Sequence, residues 1–178
     1  MRSYCQFRGL FLLTAILLLP ACAARAQFTQ QGGKLVGAGA VNGTGGAFQG
    51  SSVSLSGDGN TAIIGGFVDS NEVGAAWVFA RAGNAWTQQG SKLVGTGAAG
   101  SARQGGAVAI SADGNTAIIG GALDSIQTGA AWVFVRSSGV WTQQGGKLVG
   151  SGGTGHQGQG GSVSLSSDGN TAIIGGIF

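Results

Sequence analysis

The sequence predicts an all-β fold assembled from repeated units of four antiparallel strands, and three observations lead there. The string DGNTAIIGG begins at Asp58, Asp113 and Asp168, a period of 55 residues twice over, and GAAWVF (Gly74, Gly129) and WTQQG (Trp86, Trp141) keep the same period. Within each period, short alternating or β-branched runs follow one another between Gly, Asn and Asp turn signals. Of 178 residues, 38 are Gly, only 15 are charged and 43% are hydrophobic. A disordered chain needs the opposite balance, and collagen needs Gly at every third position with abundant Pro, so both are excluded. Self-similarity at a fixed period is instead the mark of a repeat architecture.

The elements follow in order. The first strand alternates, as in Ser52-Val53-Ser54-Leu55-Ser56 and again from Ser162 to Ser166, which is the pattern of a half-buried strand. The second, Thr61 to Gly66, is continuously apolar and is expected to be buried on both faces. The third runs from Ala75 to Arg81, with aromatic and β-branched residues, and the fourth from Trp86 to Val94. Asp58-Gly59, Asp113-Gly114 and Asp168-Gly169 are expected to supply positive φ between strands one and two, and Gly83-Asn84 and Ser138-Gly139 between strands three and four. No helix is expected after residue 26. Four strands joined in sequence by short turns make a meander, and such sheets repeated radially make a β-propeller.

The units span residues 28–85, 86–140 and 141–178, or about 2.7 blades, whereas propellers close with about four to eight. The expected fold is therefore an incomplete propeller. Because the sequence stops inside a repeat, it reads as a segment of a longer protein; association of copies into a ring is the other reading.

Residues 1–26 differ from the remainder. Arg2 and Arg8 precede a ten-residue apolar run from Leu10 to Leu19, followed by Pro20 and ACAARA. The run is about half the length of a bilayer span, and the pattern is that of a secretory signal peptide with cleavage between Ala26 and Gln27. A rival reading takes Leu19-Pro20-Ala21-Cys22 as a lipobox with Cys22 lipidated; Pro at its second position counts against it. Residues 27–178 carry six basic and six acidic side chains and no Cys. The net charge of +3 thus belongs to the leader, and the mature chain has no basic footprint for nucleic acid, no disulfide and no thiol nucleophile.

The stretch from Phe48 to Phe79, FQGSSVSLSGDGNTAIIGGFVDSNEVGAAWVF, resembles an FG-GAP repeat of the integrin-α N-terminal type, in a bacterial 55-residue form with WTQQG and KLVG. The resemblance covers essentially all of residues 28–178. It implies an extracellular adhesion module that binds other proteins, often with Ca²⁺. The chain departs from the pattern in two places. Gly65-Gly66-Phe67 and Gly120-Gly121-Ala122 stand where the GAP element is expected, and the loop Ser56-Gly57-Asp58-Gly59-Asn60 carries one carboxylate. Ca²⁺ takes about six to eight oxygen ligands, several from carboxylates, so the expectation is a hairpin turn with no metal and no cofactor.

The repeats differ mainly in two places: the connection from strand four to the next strand one, and the segment after strand two. The former spans Gly37 to Gly50, Gly95 to Gly105 and Gly150 to Gly160; the latter reads FVDSNEV at Phe67 and ALDSIQT at Ala122. In a meander successive turns alternate between the two ends of a sheet, which puts both variable regions on one face. Loops on a rigid scaffold are the usual carriers of binding residues. Asp69, Asn71, Glu72, Arg103, Asp124 and Gln127 are therefore the candidates for contact with a protein or glycan partner; the plain alternative is solvated loop residues. No catalytic role is expected. His156 has no counterpart in the other units and no evident partner, Asp69 and Asp124 are each followed by Ser as turn-capping residues are, and the Gly-rich stretches lack the context of a phosphate loop. Trp77, Trp86, Trp132 and Trp141 repeat within strands and are expected to pack between sheets. Two competing functions are a self-assembling surface protein and the non-catalytic propeller part of a larger secreted hydrolase.

Overall fold

Turn signals every few residues leave room only for short strands, and the computed structural model, which describes residues 29–41 and 46–177, contains ten of them among those residues. The expectations about a signal peptide, its cleavage and Cys22 fall outside the described residues. Everything below belongs to one unit, Gln31–Phe178; of the other, Met1–Gln30, only Thr29 and Gln30 are described.

Strands β1 (Ser52–Leu55), β2 (Thr61–Gly66), β3 (Ala75–Ala82) and β4 (Ala85–Gln88) form one antiparallel sheet in chain order. Strands β5 (Ala107–Ile110), β6 (Thr116–Gly121), β7 (Ala130–Ser137) and β8 (Val140–Gln143) form a second with the same order. Strands β9 (Ser162–Leu165) and β10 (Ala172–Gly175) pair as the start of a third. The registers repeat residue for residue: Ile64 lies opposite Trp77 in the first sheet and Ile119 opposite Trp132 in the second. The fold is thus all-β, with four-stranded blades on the 55-residue repeat and no closed ring, as expected of an incomplete propeller.

The first strands of successive sheets, β1, β5 and β9, are neighbours, so the sheets stack through their faces rather than through their edges. Between the first two sheets lies the main core, where Ile63 and Val78 meet Val108, Ile110, Ile119 and Trp132. Trp77 and Trp132 have no exposed surface, as expected of strand aromatics packed between sheets, and each indole N–H donates to a backbone carbonyl, Ala38 at 2.9 Å and Thr96 at 2.8 Å. Large aromatics bury this well only when the polar edge also finds a partner.

Three local expectations need correction. In the DGN turns only Gly59, Gly114 and Gly169 have positive φ. The aspartate instead works by hydrogen bonding: Asp58 accepts from the Ser56 hydroxyl (2.6 Å) and from the Asn60 amide N–H (2.9 Å), which closes the turn without a left-handed residue at its own position. The fourth strand is shorter than Trp86 to Val94. It ends at Gln88, kinks at Gly90 (φ 76°), and rejoins β3 only through Leu93, whose N–H and C=O both bond Ala76. Finally, single helical turns α1 (Asp69–Glu72) and α2 (Asp124–Gln127) stand where no helix was expected. They are left-handed: Ser70, Asn71 and Glu72 have φ of 52°, 57° and 67°, and Ser125, Ile126 and Gln127 have 51°, 57° and 66°. Left-handed geometry costs non-glycine residues about 1–2 kcal/mol each, so nothing in helix propensity announces such a turn.

Candidate interaction face

The left-handed turns are held by buried aspartates. Asp69 accepts from the Val41 N–H (2.7 Å), the Ser70 hydroxyl (2.9 Å) and the Lys92 ammonium (2.5 Å), and is fully buried. Asp124 repeats the arrangement with Ala99 N–H (2.7 Å), Ser125 (2.9 Å) and Lys147 (2.5 Å). An ionised carboxylate can be buried only when paired and hydrogen-bonded, and both conditions are met. Each aspartate therefore ties the strand-two to strand-three turn to the connection that precedes its own sheet. That tie brings the two variable regions onto one face, as expected from the meander.

The same turns dock the next blade. At the end of the left-handed run, the carbonyls of Glu72 and Val73 accept the N–H groups of Arg103 (2.8 Å) and Gln104 (2.9 Å); Gln127 and Thr128 do the same for Gly158 (2.8 Å) and Gln159 (3.0 Å). The approach is close enough that a Cβ on Gly74 would sit 2.1 Å from the Gln104 carbonyl oxygen, and Gly74 itself has φ of 80°. Gln104, fully buried, then clamps one residue with both ends of its amide, accepting from Gly95 N–H (2.6 Å) and donating to Gly95 C=O (3.0 Å). Gln49 and Gln159 do the same to Gly37 and Gly150. This glutamine was not singled out from sequence. Its signal is the Gln-Gly pair at 49, 104 and 159, hidden because the preceding residue changes from Phe48 to Arg103 to Gly158.

Beside Arg103 lies a cavity of ≈ 300 Å³ whose lining includes Ser51, Phe67, Leu123 and Ile177. The Arg103 guanidinium lies 5.7 Å from the centre of the Phe67 ring and bonds Glu72 across the blade boundary at 2.9 Å, with both side chains about two-fifths exposed (39% and 41%). Phe67 in turn packs on Phe48, ring centres 5.6 Å apart. The arrangement offers a cation, a carboxylate and an aromatic surface side by side.

The opposite end of the sheets carries the DGN turns, which are nearly invariant. Hydrogen bonds from Ser56 and then from Asn60 hold the Asp58 carboxyl down to about 2 from its ordinary 3.8, and Asp113 and Asp168 are lowered by the equivalent bonds. With those bonds made, the carboxylates are committed to their own turns. Beside them, Arg81 and Arg136 lie over Trp86 and Trp141 (5.6 and 5.4 Å). In the first two TQQG strings the second glutamine reaches the arginine of the following sheet: Gln31 to Arg81 and Gln89 to Arg136, both at 3.0 Å. His156 is exposed on the last connection. Among the described residues no three His, Cys, Asp or Glu side chains gather as metal ligands would.

The six candidates from sequence thus divide. Asn71 and Gln127 are exposed and Glu72 and Arg103 form the half-exposed pair, all on the expected face. Asp69 and Asp124 do not belong with them: both are fully buried and present nothing to a partner, because each is consumed by one lysine, the adjacent serine hydroxyl and a backbone N–H of the preceding connection. No helix among the described residues is long and apolar enough to cross a membrane. Neither a protein-family model nor a curated protein matches the chain.

Proposed function

We propose that the chain is a non-enzymatic, exported interaction module of the FG-GAP type, which binds a protein or glycan through the variable face around Phe67, Glu72 and Arg103. The observation that carries the reading is a contrast within one scaffold. Blade frameworks repeat in register, whereas the residue before the clamping glutamine is Phe48, Arg103 or Gly158 on backbones of nearly equal φ (53°, 56° and 57°), and Arg103 lines the cavity. Variation carried on a rigidly held backbone is what a recognition surface requires. A cation stacked on an aromatic ring beside a carboxylate suits polar, partly apolar partners such as a peptide or a sugar.

The test is binding of the chain to a glycan array and to immobilised extracellular matrix proteins, with Arg103→Ser and Phe67→Ser compared with the parent. Binding that weakens at least tenfold in either variant supports the reading. Binding that is equal in all three, or absent throughout, defeats it. The exposed apolar residues on β1, Val53 and Leu55, favour a second reading, a self-assembling surface protein, which is developed next.

A further inference from the structure

The contact between successive blades uses one set of groups in fixed places. The first sheet offers the second Ile63, the Ser52 hydroxyl (to Gly105 C=O, 2.8 Å), the Ser54 hydroxyl (from Ile110 N–H, 3.2 Å) and the Gly57 N–H (to Ala112 C=O, 2.9 Å). The second sheet receives them with Val108 and Ile110, both 8% exposed. At the next boundary the Ala112 N–H bonds Ser167 C=O at 2.9 Å in the same way.

Both halves of this contact are also present without a partner blade. On β1, Val53 and Leu55 occupy the positions of Val108 and Ile110 but are 68% and 56% exposed. On the last sheet, Ile173 occupies the position of Ile63 and is 73% exposed. Ser162 and Ser164, exposed, stand where Ser52 and Ser54 make their bonds, while the middle sheet has Ala107 and Ala109 there. The part of the offering set that the first sheet carries on its first two strands is therefore restored on the third, without a counterpart of Val78 among the described residues, and the receiving set lies open on the first.

We propose that these two faces meet between copies, the Ile173–Ser164 face of one chain seating on the Val53–Leu55 face of another in the register of the internal blade contact. The two surfaces differ, so the interface is head-to-tail, and repeated use gives closed rings or open filaments rather than an isologous dimer.

The experiment is sedimentation velocity of the full chain over a wide concentration range, with Leu55→Glu and Ile173→Glu as probes. Each variant alone is expected to be monomeric. Mixed in equal amounts they are expected to give a dimer and nothing larger, because each retains the face the other has lost. Emission of the buried Trp77 and Trp132 checks folding; if Leu55→Glu fails that check, Val53→Lys takes its place. A parent chain that is monomeric at every concentration overturns the proposal, whether the face is bare or covered by residues 1–28. A mixture that stays monomeric overturns it too.

Discussion

Lys147 and Asp124 show how a single pair decides what a residue is for. The carboxylate is buried, so neutralising its partner leaves a charge without compensation, a loss of about 3–5 kcal/mol for a pair of this kind. Lys147→Met is expected to fall in that range by urea denaturation, and a loss below about 1 kcal/mol would mean the pair is no more than a surface contact. Ile126 carries the opposite lesson. It is 85% exposed and β-branched at φ 57°, where the first blade has Asn71 at the same angle. Asn tolerates left-handed backbone, so Ile126→Asn is expected to stabilise by about 1 kcal/mol, read as a higher urea midpoint. For Asp58 the folded value of about 2 lies below the ordinary 3.8. The folded state therefore releases this proton more readily, and the turn's contribution is complete above about pH 4 and disappears as pH falls through 2. Ser56→Ala removes the largest cause and is expected to raise the Asp58 midpoint towards 3.8 in a carboxyl-carbon NMR titration. From sequence, Asp69 and Asp58 look alike as turn aspartates. The distant Lys92, 23 residues on, and the Val41 N–H, 28 residues back, distinguish them, and long-range partners leave no local mark.

Strand existence was legible because alternation and β-branching act locally: β1, β2 and β3 begin where the pattern places them. The end of β4 was not. The string WTQQGSKLV is continuous with a strand by propensity, yet the stretch from Gly90 serves two sheets, with Leu93 on β3 and Gly95 against the next blade's Trp132. A Cβ at Gly95 would lie 2.2 Å from the Trp132 ring. Overpacking a filled core costs about 1–3 kcal/mol, so Gly95→Ala is expected to lose that much stability and to shift indole emission, whereas Gly97→Ala, with open space around it, strains only its own φ of 75°. The left-handed turns escaped notice for a related reason. What holds them is the buried aspartate of each turn together with the docking of the turn's carbonyls on the following blade, tertiary demands that override local preference.

At the scale of the molecule, the repeat period told both the number of strands per blade and their order, since identical strings in register must fold alike. It did not tell which residues join one blade to the next, because those groups are small or polar: a serine hydroxyl, the Gln89 amide, a glycine N–H. Each of these belongs half to one blade and half to its neighbour. The reach of Gln89 to Arg136 and Trp141 makes the point, for the three side chains stand 47 and 52 residues apart in sequence yet meet across a blade boundary. A duplicated stretch of 55 residues, cut at any phase, thus arrives already carrying both mating surfaces and can be spliced into the array without a compensating change. Extra length is tolerated only in the connection between blades, where the first unit, residues 28–85, is three residues longer than the second, residues 86–140. Inside the strands it would shift the mating groups out of register, so copy number is free to drift by whole units while the strand register is locked.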